Sequence, residues 1–194
     1  SAKAREFYEK AAAIEPNPLI HEKIAHIYKR SGDLDSARSH FLKALELDPA
    51  NKECIYNLGI IERIYGDYES SMKRYLNLKE MGLDDTSLDM SMGVLHSEMG
   101  EMQKALECYE RAMEKSPDID LLCFNYSLCK MTLGDYVEGL RLYEKRIWHA
   151  KPPGEQWSGQ ADANVLVSPE QGNGDIIQFS RYIGLLRKKC NKVT

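Results

Sequence analysis

A glycine-rich loop near the C-terminal end of the chain carries the residues best suited to chemistry. Gly172, Asn173 and Gly174 precede Asp175, where a helix is predicted to begin. Such a loop can bring backbone N–H groups and a helix N-terminus toward a phosphate. A carboxylate beside a hydroxyl group can accept its proton as a general base. The alternative is that Asp175 only caps the helix, which is the more common role of aspartate at such a position.

The segments that flank this loop predict a β-strand and an α-helix. Residues 164–167 form a short β-branched run suited to a buried parallel strand, and residues 176–189 place apolar side chains on one helical face. A dinucleotide fingerprint would need a third glycine where Ile177 stands, so an ordinary dinucleotide cofactor is disfavoured. The chain ends where a second strand is expected. The sequence therefore predicts a piece of a longer protein that has no catalytic activity by itself.

Upstream of this tail, a glycine recurs at a constant interval of 34 residues. Each of these glycines is followed by an acidic and then an apolar residue: Gly32, Gly66, Gly100 and Gly134. A period of about 34 residues is typical of stacked helical hairpins. Small residues such as Ala37 and Ala105, and aromatic residues such as Phe41 and Tyr75, recur between the glycines at helical spacing.

These positions resemble the tetratricopeptide repeat family over roughly three quarters of the chain. The resemblance implies an all-α fold, a right-handed superhelix (α-solenoid) with a short strand–loop–helix tail. Thr86 and Asp89 form a capping-box pattern at the start of one repeat. The chain begins inside a repeat, which predicts further repeats before it. The predicted segments are a partial repeat at 1–17, full repeats at 18–51, 52–85, 86–119 and 120–153, and a linker with a truncated Rossmann-like start at 154–194.

In this family the first helix of each hairpin lines the concave face, so the resemblance implies which side chains meet a partner. Asn57 and Asn125 occupy the same repeat position, with Ser91 at that position between them. An asparagine amide can donate to and accept from a peptide backbone, and the pair is similar to part of the asparagine ladder in the repeat domain of the nucleocytoplasmic O-GlcNAc transferase. The alternative is that both asparagines are ordinary polar surface residues.

The neighbouring groove positions become apolar toward the C-terminal end of the repeats. These predicted partner-binding residues are Tyr56, Ile60, Met90, Val94, Phe124 and Leu128. An exposed apolar stripe on a folded domain normally marks an interaction site. The alternative is that a later helix covers Phe124 and Leu128.

The tail from Trp157 to Tyr182 resembles bacterial proteins in which repeats precede a glycosyltransferase domain of the two-Rossmann (GT-B) type. It is also similar to the first loop of the lipopolysaccharide heptosyltransferases. This resemblance implies that Asp175 is the general base on an acceptor hydroxyl in the longer protein. It also implies a phosphate or substrate loop at Gly172, Asn173 and Gly174 and a nucleotide-sugar donor there, with no cofactor in the present chain.

Composition narrows the remaining classes of function. The formal net charge of -4 provides no global basic field to recruit nucleic acid. No apolar run approaches ~18 residues, so no membrane span is predicted. The five cysteines form no Cys-x-x-Cys pair, which favours a reduced, cytoplasmic protein, and no metal-ligand spacing appears.

Together these patterns predict a repeat domain that binds a protein or peptide in its groove, as the acceptor-recognition region of a larger glycosyltransferase. The alternative is a free-standing scaffold or adaptor without enzymatic activity. A homodimer is a further prediction, because repeat arrays with apolar groove ends often self-associate.

Overall fold

A computed structural model of the chain describes residues 2–143, 159–161, 163–165, 167, 180 and 182–194. The chain divides into two compact units, residues 1–147 and 148–194. The described part of the first unit is built from helices and short turns. The second unit contributes a short pair of strands and a helix. The all-α fold with a small strand–helix tail is confirmed.

The helices of the first unit form a stack of helical hairpins. The helices are α1 (Ala2–Ile14), α2 (Pro18–Ser31), α3 (Leu34–Leu47), α4 (Lys52–Ile64), α5 (Tyr68–Glu80), α6 (Thr86–Glu98), α7 (Met102–Lys115), α8 (Asp120–Thr132) and α9 (Tyr136–Tyr143). Helices α2/α3, α4/α5, α6/α7 and α8/α9 pair as hairpins, and α6 also contacts α4 and α8. We call the surface formed by the first helices α2, α4, α6 and α8 the groove surface.

The turn inside each hairpin explains the recurring Gly-acidic pair. The four turn glycines have φ values of 82°, 79°, 77° and 90°, a left-handed conformation that favours glycine. Asp33 then caps the second helix, since its carboxylate accepts a hydrogen bond of 3.0 Å from the backbone N–H of Ser36. The carboxylate of Asp67 likewise accepts a hydrogen bond of 3.1 Å from the backbone N–H of Ser70. The predicted local structure of these turns is therefore confirmed.

The second helix of a hairpin approaches the first very closely where the first helix has a glycine. A Cβ atom added to Gly59 would lie 2.6 Å from Cε1 of Tyr75, and one added to Gly93 would lie 2.6 Å from Cε1 of Tyr109. Both tyrosines are buried. Glycine is therefore required at these two positions so that the aromatic ring can pack against the helix backbone.

The capping box predicted from Thr86 and Asp89 is wrong. The N-cap of α6 is Asp85, whose carboxylate accepts from the backbone N–H of Leu88 at 2.8 Å. The carboxylate of Asp89 instead lies in the packed interior, 1% exposed, and meets cations from the two neighbouring second helices. Its partners are Lys79 at 3.4 Å, Arg111 at 3.2 Å and Lys115 at 2.6 Å.

The second unit contains a parallel strand pair, β1 (Asn164–Val165) and β2 (Lys192–Val193), with helix α10 (Ile183–Lys189) between them in sequence. The predicted strand at 164–167 is confirmed at residues 164–165. The second strand expected where the chain ends is β2, which pairs in parallel with β1. The backbone N–H of Thr194 donates to the carbonyl of Val165 at 2.9 Å, so β1 has a partner for its backbone groups.

Candidate functional site

Asn57 lies at the predicted ladder position of α4, but its side chain is enclosed by the protein. It is 2% exposed. Its amide oxygen accepts a hydrogen bond of 2.6 Å from Nζ of Lys29 on α2. Its amide nitrogen donates to the Glu53 backbone carbonyl at 2.8 Å and to Oε1 of Glu53 at 2.7 Å. Both N–H donors of this amide are therefore used within the chain.

Asn125 occupies the same repeat position on α8, in a different environment. It is half-buried, and its amide makes no hydrogen bond to any residue that the structure describes. A comparison of equivalent repeat positions explains the difference. Ser97 occupies the position that Lys29, the hydrogen-bond partner of Asn57, occupies two repeats earlier. In the same way, Leu121 occupies the position of Glu53. The groups that satisfy Asn57 have thus been replaced around Asn125 by a short hydroxyl and an aliphatic side chain.

A cavity of about 290 Å³ opens beside Asn125, between α6 and α8 and against α7. Its apolar lining comes from Val94, Met102, Tyr109, Leu128 and Cys129. Its polar lining comes from Ser97, Glu98, Asn125 and Thr132. Leu128 is 41% exposed, so one apolar wall is open to solvent. A mostly apolar recess with a few polar groups is suited to hold an apolar side chain of a partner.

The floor of this cavity is uncharged at neutral pH. Burial raises the pKa of Tyr109 to about 12, and burial also raises the pKa of the Cys129 thiol. The thiol donates a hydrogen bond of 3.3 Å to the backbone carbonyl of Met102. At the rim, Glu98 is paired with Arg63 of α4. The floor of the cavity therefore carries no free charge. The amide of Asn125 lies at its edge.

The other polar groove positions are also engaged within the protein. The Tyr56 hydroxyl and the Ser91 hydroxyl are 2.7 Å apart and share a hydrogen bond across α4 and α6. Burial raises the pKa of Tyr56, so its phenol stays protonated. The ring of Tyr56 lies beside Tyr75, with 6.0 Å between the centroids. These contacts join neighbouring repeats.

The apolar groove residues divide into covered and open ones. Met90 and Val94 are partly buried against the core of the third hairpin. Phe124 packs against the ring of Tyr143 on α9, with 5.7 Å between the centroids. Ile60 is half-buried on α4. Leu128 remains the most open of the set, beside Asn125. The role of these residues in partner binding stays a prediction.

The predicted loop of the tail lies outside the described residues. This applies to Gly172, Asn173 and Gly174 and to the candidate general base Asp175. Their roles as a phosphate or substrate loop and as a base stay predictions from the sequence.

Sequence reasoning missed part of the cavity. Ser97, Thr132 and Met102 line it but were not among the predicted groove residues. The sequence does contain a usable signal. The residue 28 positions before Asn57 is Lys29, whereas the residue 28 positions before Asn125 is Ser97. That change marks the repeat in which the asparagine loses its internal partner.

The fold and this site define a helical-hairpin repeat domain with a recess between adjacent first helices. Family models described as tetratricopeptide repeat match residues 20–51 and residues 87–120, so these two stretches are similar to tetratricopeptide repeats.

One curated protein and two solved structures illustrate what this chain is similar to. The photosystem I assembly protein Ycf3 of Prochlorococcus marinus (strain MIT 9211) is 34% identical over 64 residues, which cover 31% of this chain and 37% of that protein. MamA (41-end) from Desulfovibrio magneticus RS-1 aligns with a TM-score of 0.67 at 15% identity, covering 74% of this chain and 82% of that chain. YrrB, described as a TPR protein with an unusual peptide-binding site, aligns with a TM-score of 0.60 at 19% identity, covering 71% and 72%. At these identities the solved structures show the shared fold.

In the part of the chain that the structure describes, no helix combines the length and apolar character needed to cross a membrane.

Proposed function

We propose that this domain binds a protein or peptide segment across α6 and α8 of the groove surface. An apolar side chain of the partner fills the cavity, and the amide of Asn125 bonds to the partner's backbone. The observation that carries this proposal is that Asn125 has no hydrogen-bond partner among the described residues while it lines a largely apolar recess. The description of YrrB as a peptide-binding TPR protein supports it.

The proposal predicts opposite outcomes for two asparagines at one repeat position. Asn125→Ala should weaken peptide binding about tenfold, the effect of losing roughly 1.4 kcal/mol of hydrogen bonding, and leave the melting temperature unchanged. Asn57→Ala should lower the free energy of unfolding by about 1–3 kcal/mol, because Lys29 and Glu53 lose their buried partner. Its folded form should bind peptide normally.

Phage-displayed random peptides selected on the wild-type chain would supply the probe. A synthetic copy of an enriched peptide is then titrated against both variants by isothermal calorimetry, and urea denaturation gives their stabilities. Leu128→Asp, in the open wall of the cavity, should also abolish most binding. Equal peptide affinity for wild type, Asn125→Ala and Leu128→Asp would refute this site.

We propose, as a second step, that the domain is the acceptor-recognition region of a larger glycosyltransferase of bacterial type. The Gly172–Asp175 motif carries this proposal, and the parallel pairing of β1 and β2 around α10 is compatible with a βαβ unit. The longer protein should then hydrolyse or transfer from sugar nucleotides, whereas the present chain should not. If the longer gene product neither binds nor hydrolyses sugar nucleotides, the free-standing scaffold becomes the better account.

We also infer a cytoplasmic location and a homodimeric state. All five cysteines are free thiols, and all are buried, as suits a reducing compartment. Cell fractionation of the source organism tests the location. The dimer is supported by exposed apolar side chains on α9.

A further inference from the structure

Helix α9 presents an apolar patch to solvent at the last hairpin of the first unit. Tyr136 is 63% exposed, Val137 is 86% exposed and Leu140 is 55% exposed. We call these three residues the α9 patch. At about 3.6 residues per turn, they fall on one side of the helix, away from the buried Gly139 and Leu142. A contiguous exposed patch of this kind is unusual unless something binds it.

The earlier hairpins show how such positions are normally used. On α7 the equivalents of Tyr136 and Leu140 are Met102 and Leu106, and both are partly buried against the core that includes α8. On α5 the equivalents are Tyr68 and Met72, which pack against the core that includes α6. These positions are thus covered by the next helix in the stack.

Val137 is an apolar residue at a repeat position that is polar in the other hairpins. Its equivalents are Asp35, Glu69 and Gln103, all polar and exposed. The other hairpins therefore keep this position hydrophilic, and α9 alone among them carries a β-branched apolar residue there. The change extends the apolar surface of α9 beside the two positions that the next helix covers in the earlier hairpins.

We propose that the α9 patch is the interface between two copies of this chain, with the two α9 helices packed antiparallel about a two-fold axis. This inference rests on the homodimer proposed above and names its surface. Across a two-fold axis the same patch meets itself, so an apolar stripe is matched by an apolar stripe. The covering helix that the earlier hairpins receive from the next repeat is here supplied by a second copy.

The charges beside the α9 patch are self-complementary in this arrangement. Glu138 and Arg141 lie on the same flank of α9, next to Val137, where Nε of Arg141 donates to Oε2 of Glu138 at 2.7 Å. In an antiparallel pair that flank faces the same flank of the other copy in reversed order. Each Glu138 then lies opposite an Arg141, and no like charges are brought together.

The first experiment measures the mass of the intact chain in solution by sedimentation equilibrium up to about 100 µM, well above a micromolar dissociation constant. The wild type should be a dimer. Val137→Glu should raise the dissociation constant at least about tenfold, because a carboxylate is then buried in an apolar contact. Gln103→Glu, at the equivalent exposed position of α7, is the matched control and should remain dimeric.

Charge reversal gives a second test that a folding defect cannot imitate. Glu138→Arg makes the flank all positive, and Arg141→Glu makes it all negative, so each variant alone should be monomeric. An equimolar mixture of the two should form a heterodimer, because each flank then faces its opposite. Circular dichroism of the separate variants should match the wild type.

Two results would overturn the inference in different ways. A monomeric wild type over the whole concentration range would remove both the homodimer and its interface. A dimer that is insensitive to Val137→Glu and to both charge reversals would keep the homodimer and reject the α9 patch. Peptide binding by the same variants reports separately on the cavity between α6 and α8, because no residue of α9 lines that cavity.

Discussion

Tyr75→Ala should lower the free energy of unfolding by about 3–5 kcal/mol, the range for truncating a large buried aromatic side chain. Tyr75 is 0% exposed and belongs to the core shared by the second and third hairpins. Its ring fills the space left by Gly59 on α4, so removal opens a cavity that the two helix backbones cannot close. Urea denaturation followed by circular dichroism measures the change. Leu76→Ala is the matched control, because its side chain is 47% exposed and should cost less than about 1 kcal/mol.

A double-mutant cycle isolates the contact between Tyr75 and Gly59. In the wild type, Gly59→Ala should destabilise by about 1–3 kcal/mol, since the new methyl group would lie 2.6 Å from the ring. In the Tyr75→Ala background the same change should be neutral or stabilising by up to about 1 kcal/mol, because alanine is the better helix former. Additive effects of the two substitutions would contradict the close packing described here.

Asp89→Ala should lower the free energy of unfolding by about 3 kcal/mol. Removing one partner of a buried ion pair leaves the other charge uncompensated. Here Lys79, Arg111 and Lys115 would lose their shared carboxylate, although each cation keeps some contact with water, which places the effect at the lower end of the usual range. Glu107→Ala, an exposed carboxylate on α7, should change stability by less than about 0.5 kcal/mol. If the two variants prove equally stable, the cluster does not hold α5, α6 and α7 together.

The same cluster fixes the direction of a pH effect. Burial by itself raises the pKa of Asp89, but hydrogen bonds from Lys115 and Arg111 and the charge of Lys79 outweigh it and hold the pKa below its ordinary value. The unfolded state therefore binds a proton at a higher pH than the folded state does. This stability is present above the ordinary carboxyl pKa and is lost as pH falls through the folded value. Asp89→Asn should show a smaller loss of stability on acidification than the wild type shows.

The repeat architecture was predictable because its determinants are local in sequence. A glycine with positive φ followed by an N-cap aspartate fixes each turn within a few residues, as at Gly32 and Asp33. The pairing of small and aromatic positions, as in Gly59 with Tyr75, then brings two helices of one hairpin together. These signals recur every 34 residues, so four repetitions reinforce one another.

The site was predictable only in part, because the burial and hydrogen bonding of a side chain depend on neighbours that are distant in sequence. Asn57 and Asn125 share one repeat position and one predicted role. Whether their amides are used internally depends on a residue 28 positions earlier and another four positions earlier. Asp89 shows the same limit: the sequence suggested a helix cap, and the fold surrounds its carboxylate with cations from two other helices.

By itself, then, the sequence determined the class of fold, a stack of helical hairpins similar to tetratricopeptide repeats, since turn chemistry and helical periodicity are properties of short segments. The tertiary structure decided which groove residues are free to meet a partner. It encloses Asn57 between Lys29 and Glu53, leaves Asn125 open beside a cavity, and exposes the α9 patch. The physical reason is that hydrogen bonding and burial are settled between repeats, where side chains about one period apart come within bonding distance.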